Sequence, residues 1–136
     1  MTNTMKLRIV TPESTFYSDD VDMVTLPGVD GDLGILPHHI RLVTQMVPGE
    51  LVVRKGGRDQ FLAVGEGLVE VSSDGVDIVT DMAVTAENID EAKAEEARQR
   101  AAARLRERIS SEEVASVNAA LVRSLAQLRV KRRRSM

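Results

Sequence analysis

The 136 residues include no cysteine, one tyrosine and two phenylalanines, and carry a formal net charge of −3. That length suits one ordinary domain, or a domain with a small appendage, able to bury about two thirds of its unfolded surface. Disulfides, thiolate chemistry and cysteine-built zinc sites are excluded, and no run approaches the ~18 apolar residues of a membrane helix.

The N-terminus lacks the basic-then-apolar order of a signal segment, so the chain is expected to be soluble unless a partner holds it at a membrane. Period-two alternation then marks residues 7–10, 22–25, 51–54, 69–72 and 76–80 as half-buried strands. Turn signals fall at Asp19-Asp20, Pro48-Gly49, Gly56-Gly57 and Ser73-Asp74-Gly75. Between Leu26 and His39 lie Gly28, Gly31 and Gly34 with Pro27 and Pro37, which suit neither a helix nor one continuous strand. Apolar flanks make this run a hairpin with Asp30 and Asp32 at a projecting tip. Short strands at this spacing predict an antiparallel β-sandwich or flattened barrel over residues 1–86.

Beyond Ala86 glycine and proline vanish and alanine, glutamate and arginine dominate. Asn88-Ile89-Asp90-Glu91 resembles a capping box that opens a helix, and Ser110-Ser111-Glu112-Glu113 repeats the device. A C-terminal α-helical hairpin over 87–136 is the expectation. Its first helix aligns Ala94, Ala97, Ala101, Leu105 and Ile109; its second aligns Val114, Val117, Leu121, Leu125 and Leu128. An alanine-rich face buries little area, so the hairpin is held by a modest margin, as a switch requires. The alternative is that alanine reflects helix propensity alone. Charge divides at the same border. The first 86 residues have seven more acids than bases, and the remainder has four more bases than acids. Such halves either meet different partners or attract each other.

Little in the chain points to catalysis. His38 and His39 are the only histidines, strand neighbours point to opposite faces, and no third nitrogen or sulfur ligand accompanies them. Neither a metal centre nor a catalytic residue is expected. No G-x-x-x-x-G-K-[ST] phosphate cradle is present, so the chain alone should not hydrolyse ATP. The basic run Lys131, Arg132, Arg133 and Arg134 has no aromatic neighbour to stack bases, which argues against nucleic acid. A solvated terminus, an acidic protein or an anionic membrane surface suits it better.

The order L-P-G-x-x-G-D-L-G-I-L-P-x-H, from Leu26 to His39, resembles the signature of the small ε subunit of the F-type ATP synthase. Similarity continues through Val47-Pro48-Gly49, Gly65-Glu66-Gly67, the start of the first helix and Ser124 to Val130. The resemblance implies a non-catalytic central-stalk subunit that couples proton translocation to ATP synthesis. Its implied partners are the γ subunit, the c-ring of the membrane sector and, in an inhibited state, the α/β catalytic head. No direct membrane insertion is implied. The implied location is peripheral, on the cytoplasmic face of the bacterial inner membrane.

By the same resemblance Asp32, assisted by Asp30, faces the polar loops of the ring, and His39 faces the stalk. Bacterial members can carry a nucleotide site opening I/L-D-x-x-R-A; here it reads Ile89-Asp90-Glu91-Ala92-Lys93-Ala94. Lys93 keeps the charge without the planar fork, Arg100 and Arg123 match further basic positions, and Gln127 replaces an arginine. No cofactor is therefore required, and ATP is at most a weak regulatory ligand. Arg123, Arg129 and the 131–134 run match the helix that extends to block hydrolysis. The rival expectation is a free-standing β-sandwich adaptor with a helical dimerisation arm.

Overall fold

The computed structural model describes residues 3–134, so the outermost positions of both expected segments lie outside the described residues. Ten strands come first: β1 (Met5–Val10), β2 (Thr15–Val21), β3 (Met23–Gly28), β4 (Gly31–Ile35), β5 (Leu42–Met46), β6 (Gly49–Lys55), β7 (Arg58–Val64), β8 (Gly67–Ser72), β9 (Gly75–Thr80) and β10 (Ala83–Thr85). A short 3₁₀ turn (Ala86–Asn88) leads to α1 (Glu91–Leu105) and α2 (Ser111–Arg134).

The strands form one sheet in the order β10-β7-β6-β3-β5-β8-β9-β1-β2, with β4 paired to β3. Pairing is antiparallel except where β1 lies beside β9. Only Asp22 separates β2, at one edge, from β3, in the middle, so the sheet must curl until that edge returns to β6. Asp22 fastens the return. Its backbone N–H donates to the Arg54 carbonyl at 2.8 Å, and its carboxylate accepts from the Gly56 N–H at 2.8 Å. Lys55 pairs with Asp19 beside it.

Alternation places Leu7 and Ile9 of β1, Leu51 and Val53 of β6, Val69 and Val71 of β8, and Val76 and Ile78 of β9 in one buried core. No residue of α1 or α2 belongs to it. Each such side chain contributes about 1.5–3 kcal/mol by burial. In contrast, Asp19 and Asp20 are not a turn: they pair with Leu7 and Lys6 inside β2, and the chain reverses at Thr11 and Ser14. Charged side chains are tolerated on β2 because it is an edge strand, where they discourage pairing with another chain. β7 escapes the alternation rule because Leu62, Ala63 and Val64 are all buried, the sheet lying on one side and the helical layer on the other.

The helical hairpin forms, with three local corrections. Asp90, not Asn88, caps α1: its carboxylate accepts from the Lys93 N–H at 3.1 Å, while Asn88 ends the 3₁₀ turn. Ser110 caps α2 as expected, its Oγ accepting from the Glu113 N–H at 3.1 Å. Ile109 falls in the connection after α1 ends, and Val114 and Leu125 are exposed. The reason is that α2 has two neighbours, α1 and the β6–β7 face, so its burial cannot follow one stripe. Ala126 and Val130 lie about 160° around the helix from Leu128. Val130 meets Ala63, Ala86 and Ile89 on the sheet side, and Leu128 is left towards α1.

Shortening Ile78 to Ala should destabilise the sandwich by about 2–5 kcal/mol, read from the midpoint of denaturant unfolding at unchanged m-value.

Candidate functional site

The β3–β4 hairpin holds the first candidate surface. Its ladder runs from Val24 opposite Ile35 to Gly28 opposite Gly31, leaving Val29 and Asp30 as a two-residue loop. Gly31 has φ of 118°, a conformation that side chains resist, and it lets the chain turn tightly enough to present both acids. Asp30 and Asp32 are exposed, with Asp32 held opposite Pro27 by strand pairing. The tip is therefore a rigid acidic projection. His39 is half-buried just beyond β4, where its Nδ1 donates to the Ile40 carbonyl at 2.7 Å. Its neighbour His38 adopts a φ of 71°, with Nε2 3.1 Å from Asn3 Oδ1.

A second surface escaped the sequence analysis. Val43, Leu68 and Val79, on the adjacent strands β5, β8 and β9, are 68%, 57% and 59% exposed, and Ile40 before β5 reaches 79%. Leu68 and Val79 are directly paired. These side chains form an exposed apolar patch on a face shared with Gln45, Glu70 and Asp77, where a solvated sheet face would be polar throughout. Its signal was present in Leu42-Val43, Leu68-Val69 and Ile78-Val79, adjacent apolar pairs that put one member on each side of a strand.

The basic helix forms the third surface, and it lies against the sandwich. Arg123 Nη1 donates to Asp81 at 3.2 Å, Gln127 Nε2 lies 2.9 Å from the Met82 sulfur, and Arg134 grips Glu50 with two hydrogen bonds of 2.5 and 2.9 Å. Arg133 adds a 3.6 Å ion pair to the same Glu50. Gly65 makes room for the Asp81 contact, because a Cβ there would stand 1.8 Å from the Asp81 carboxylate. Towards α1, Arg132 pairs with Glu91 and Glu95. Hydrogen bonding from Arg98, with help from Gln99 and Arg132, holds the Glu95 carboxyl down at about 2.

Residues expected to act separately meet at one place. Asp32, Glu50, Arg129 and Arg133 line a crevice of about 310 Å³ between the tip and the end of α2. Arg129 makes no ion pair among the described residues. The four positions matched to a nucleotide site have separate local surroundings. Asp90 is occupied as a helix cap, Lys93 is exposed, and Arg123 is paired with Asp81. Arg100 lines a groove with Ala97, Arg104 and Val117 that takes in none of the other three. Among the described residues, no group of three or more His, Asp or Glu is placed to hold a metal ion, and no helix is long and apolar enough to cross a membrane.

Residues 4–86 match the family model of the ATP synthase delta/epsilon chain β-sandwich domain, and residues 87–132 match that of its long α-helix domain. The chain belongs to the ATP synthase delta/epsilon family. It is 39% identical over 133 residues to the ATP synthase epsilon chain of Acidithiobacillus ferridurans, covering 98% of this chain and 94% of that one. Identity is 42% over 126 residues with the epsilon chain of Herpetosiphon aurantiacus, covering 93% of each. Among solved structures, a chain of the Euglena gracilis mitochondrial ATP synthase, seen by cryo-EM with OSCP, F1 and c-ring, superposes with a TM-score of 0.72 at 26% identity, covering 90% of this chain and 78% of that one. A chain from the central stalk and c-ring of the Tetrahymena thermophila enzyme gives 0.66 at 12% identity, covering 93% and 96%, which shows the fold alone.

The delta/epsilon chain is a subunit of the F-type ATP synthase complex and not its catalytic one. Membership of that family sets the free-standing adaptor aside.

Replacing Gly31 with Ala should strain the acidic tip and lower stability by about 1–3 kcal/mol, measured by thermal unfolding.

Proposed function

We propose that this ATP synthase subunit couples the rotor to the catalytic head through its sandwich and restrains ATP hydrolysis through its hairpin. One observation carries the proposal: a sheet domain whose core owes nothing to the helices presents an acidic tip, an exposed apolar patch and a basic arm fastened to it by ion pairs. The tip meets the c-ring. Asp32, with Asp30 beside it, offers carboxylates on a short, stiff hairpin to cationic or amide groups of the ring's polar loops. Force crosses such a contact without chemistry, which suits a surface lacking a catalytic constellation.

The apolar face meets the γ subunit. Val43, Leu68 and Val79 supply the desolvated area of a lasting interface, and His39 lies near it on the β4–β5 connection. Placed between stalk and ring, the subunit sits peripherally on the cytoplasmic face of the bacterial inner membrane.

The hairpin acts as the brake. When α2 leaves the sandwich, Arg123, Arg129 and the 131–134 run become free to engage acidic groups of the α/β head and hinder rotation in the hydrolytic direction. Docked, Arg123 is held by Asp81, Arg133 and Arg134 by Glu50, and Arg132 by Glu91 and Glu95 of the hairpin itself. Two partners competing for one set of charges make a two-state element, and its balance shifts by their differential affinity.

Adding the full chain to a catalytic head stripped of this subunit should lower ATP hydrolysis. A chain ending at Ala86 should still bind γ without inhibiting, because the sandwich core is complete by then. Equal inhibition by the truncated chain would remove the brake from Arg123 and Arg129.

ATP is at most a weak regulatory ligand of the hairpin. Lys93 is a point charge where a guanidinium would bind phosphate through two parallel bonds. Lys93→Arg should therefore tighten ATP binding by about tenfold, read by calorimetric titration of both chains. An unchanged isotherm would exclude this position from the site.

A further inference from the structure

We infer that Glu50 is the latch that keeps the hairpin docked, acting as a carboxylate clamp on the last turn of α2. The inference rests on the proposed docked and extended postures and names the contact that decides between them. Arg123, Gln127, Val130 and Arg134 recur at four, three and four residues, so they form one stripe along α2. Every member meets the sheet domain or its 3₁₀ extension: Arg123 at Asp81, Gln127 at Met82, Val130 at Ala63 and Ala86, and Arg134 at Glu50 and Phe61.

The stripe is mostly polar, and its apolar part is small. Val130 is the only residue of α1 or α2 in the buried cluster that joins hairpin to sheet, where its buried companions are Ala63, Ala86 and Ile89, with Phe61, Met82 and Val84 packed against them. A single buried valine on a 24-residue helix leaves a large share of its fastening to the polar contacts. The charged contacts differ greatly in quality. Arg123 and Asp81 share a single 3.2 Å bond with both side chains 36% exposed, a geometry that solvent competes with readily.

At Glu50 the surroundings change. Its side chain is only 13% exposed, both of its oxygens accept from the Arg134 fork, and Arg133 approaches the same carboxylate. The Arg134 guanidinium also stacks 3.6 Å from the centre of the Phe61 ring. The carboxylate fixes the fork in its plane while the ring shields one face from water, so each contact strengthens the other. Glu50 is the second residue of β6 and Phe61 lies on β7, two strands of the sandwich core, so the clamp is anchored in the rigid domain. Release of α2 would take both cations from Glu50 and break the paired hydrogen bonds of the Arg134 fork, a loss that favours docking.

The test uses the full chain alone. Because the chain has no cysteine, Ser73→Cys on the β8–β9 turn and Ser116→Cys on α2 allow two spin labels and a distance distribution. Glu50→Gln should raise the detached-to-docked ratio about tenfold or more. Arg134→Lys, which keeps the charge but loses the fork and the stacking, should raise it less than Glu50→Gln. Asp77→Asn, which breaks an exposed pair with Arg8 away from the helices, should leave it unchanged. Raising salt from about 0.05 to about 0.5 M should favour detachment in the parent chain and act less on Glu50→Gln.

Arg134 lies at the end of α2, so its variant reports on docking even if Glu50→Gln perturbs the sandwich. A ratio that rises less than fivefold in a folded Glu50→Gln chain overturns the latch, as does a detached population absent from every variant. Posture is read without the catalytic head, so failure of the brake in the hydrolysis assay would leave this result intact, and the converse also holds.

Discussion

The curled sheet fills its own core, and the rest of the molecule follows from that self-sufficiency. β2 must return to β6 because Asp22 alone joins it to β3, and the return encloses Leu7, Ile9, Leu51, Val53 and Ile78 without help from a helix. A domain complete in this way can hold the acidic tip and the outer face rigid at once. It also leaves the helical hairpin optional for folding, so the hairpin can be fastened by contacts weak enough to open.

Those contacts account for the charge asymmetry between the two parts of the chain. The excess acid of the sandwich and the excess base of the hairpin meet at Asp81 and Glu50, which receive Arg123, Arg133 and Arg134. Attraction within the chain and service to different partners were the two explanations open from composition. They are compatible, since cations held by an internal carboxylate are the ones that become available when it lets go. The crevice shared by Asp32, Glu50, Arg129 and Arg133 places the end of the helix beside the acidic tip, so the posture of α2 also sets the charge presented next to that tip.

Much of the fold was legible, for identifiable reasons. Glycine and proline between Leu26 and His39 leave a tight hairpin as the simplest solution, and the hairpin is there. The change to alanine, glutamate and arginine after Ala86 announces helices, and Ser110 opens the second one. Local signals failed where a neighbour distant in sequence intervened. Asp19-Asp20 reads as a turn until β1 is seen to pair with it. Asn88 and Asp90 are both competent caps, and the 3₁₀ turn that packs Ala86 and Ile89 under Val130 selects Asp90. The apolar outer face was hidden because each of its residues adjoins a core residue, and a pair such as Leu68-Val69 does not say which member faces inward.

The sequence by itself determined the family, the order of sandwich and hairpin, the rigid acidic tip and the absence of thiol chemistry. Each depends on residue types within a short stretch, where backbone geometry and side-chain chemistry act locally. Only the tertiary structure decided which face of α2 meets the sheet, that Glu50 rather than Asp81 is the sheltered carboxylate, and that Arg134 lies over Phe61. Those outcomes join residues as far apart as Glu50 and Arg134, and their strength comes from burial and mutual orientation. A linear pattern encodes neither until the sheet has curled and the helix has come to rest on it.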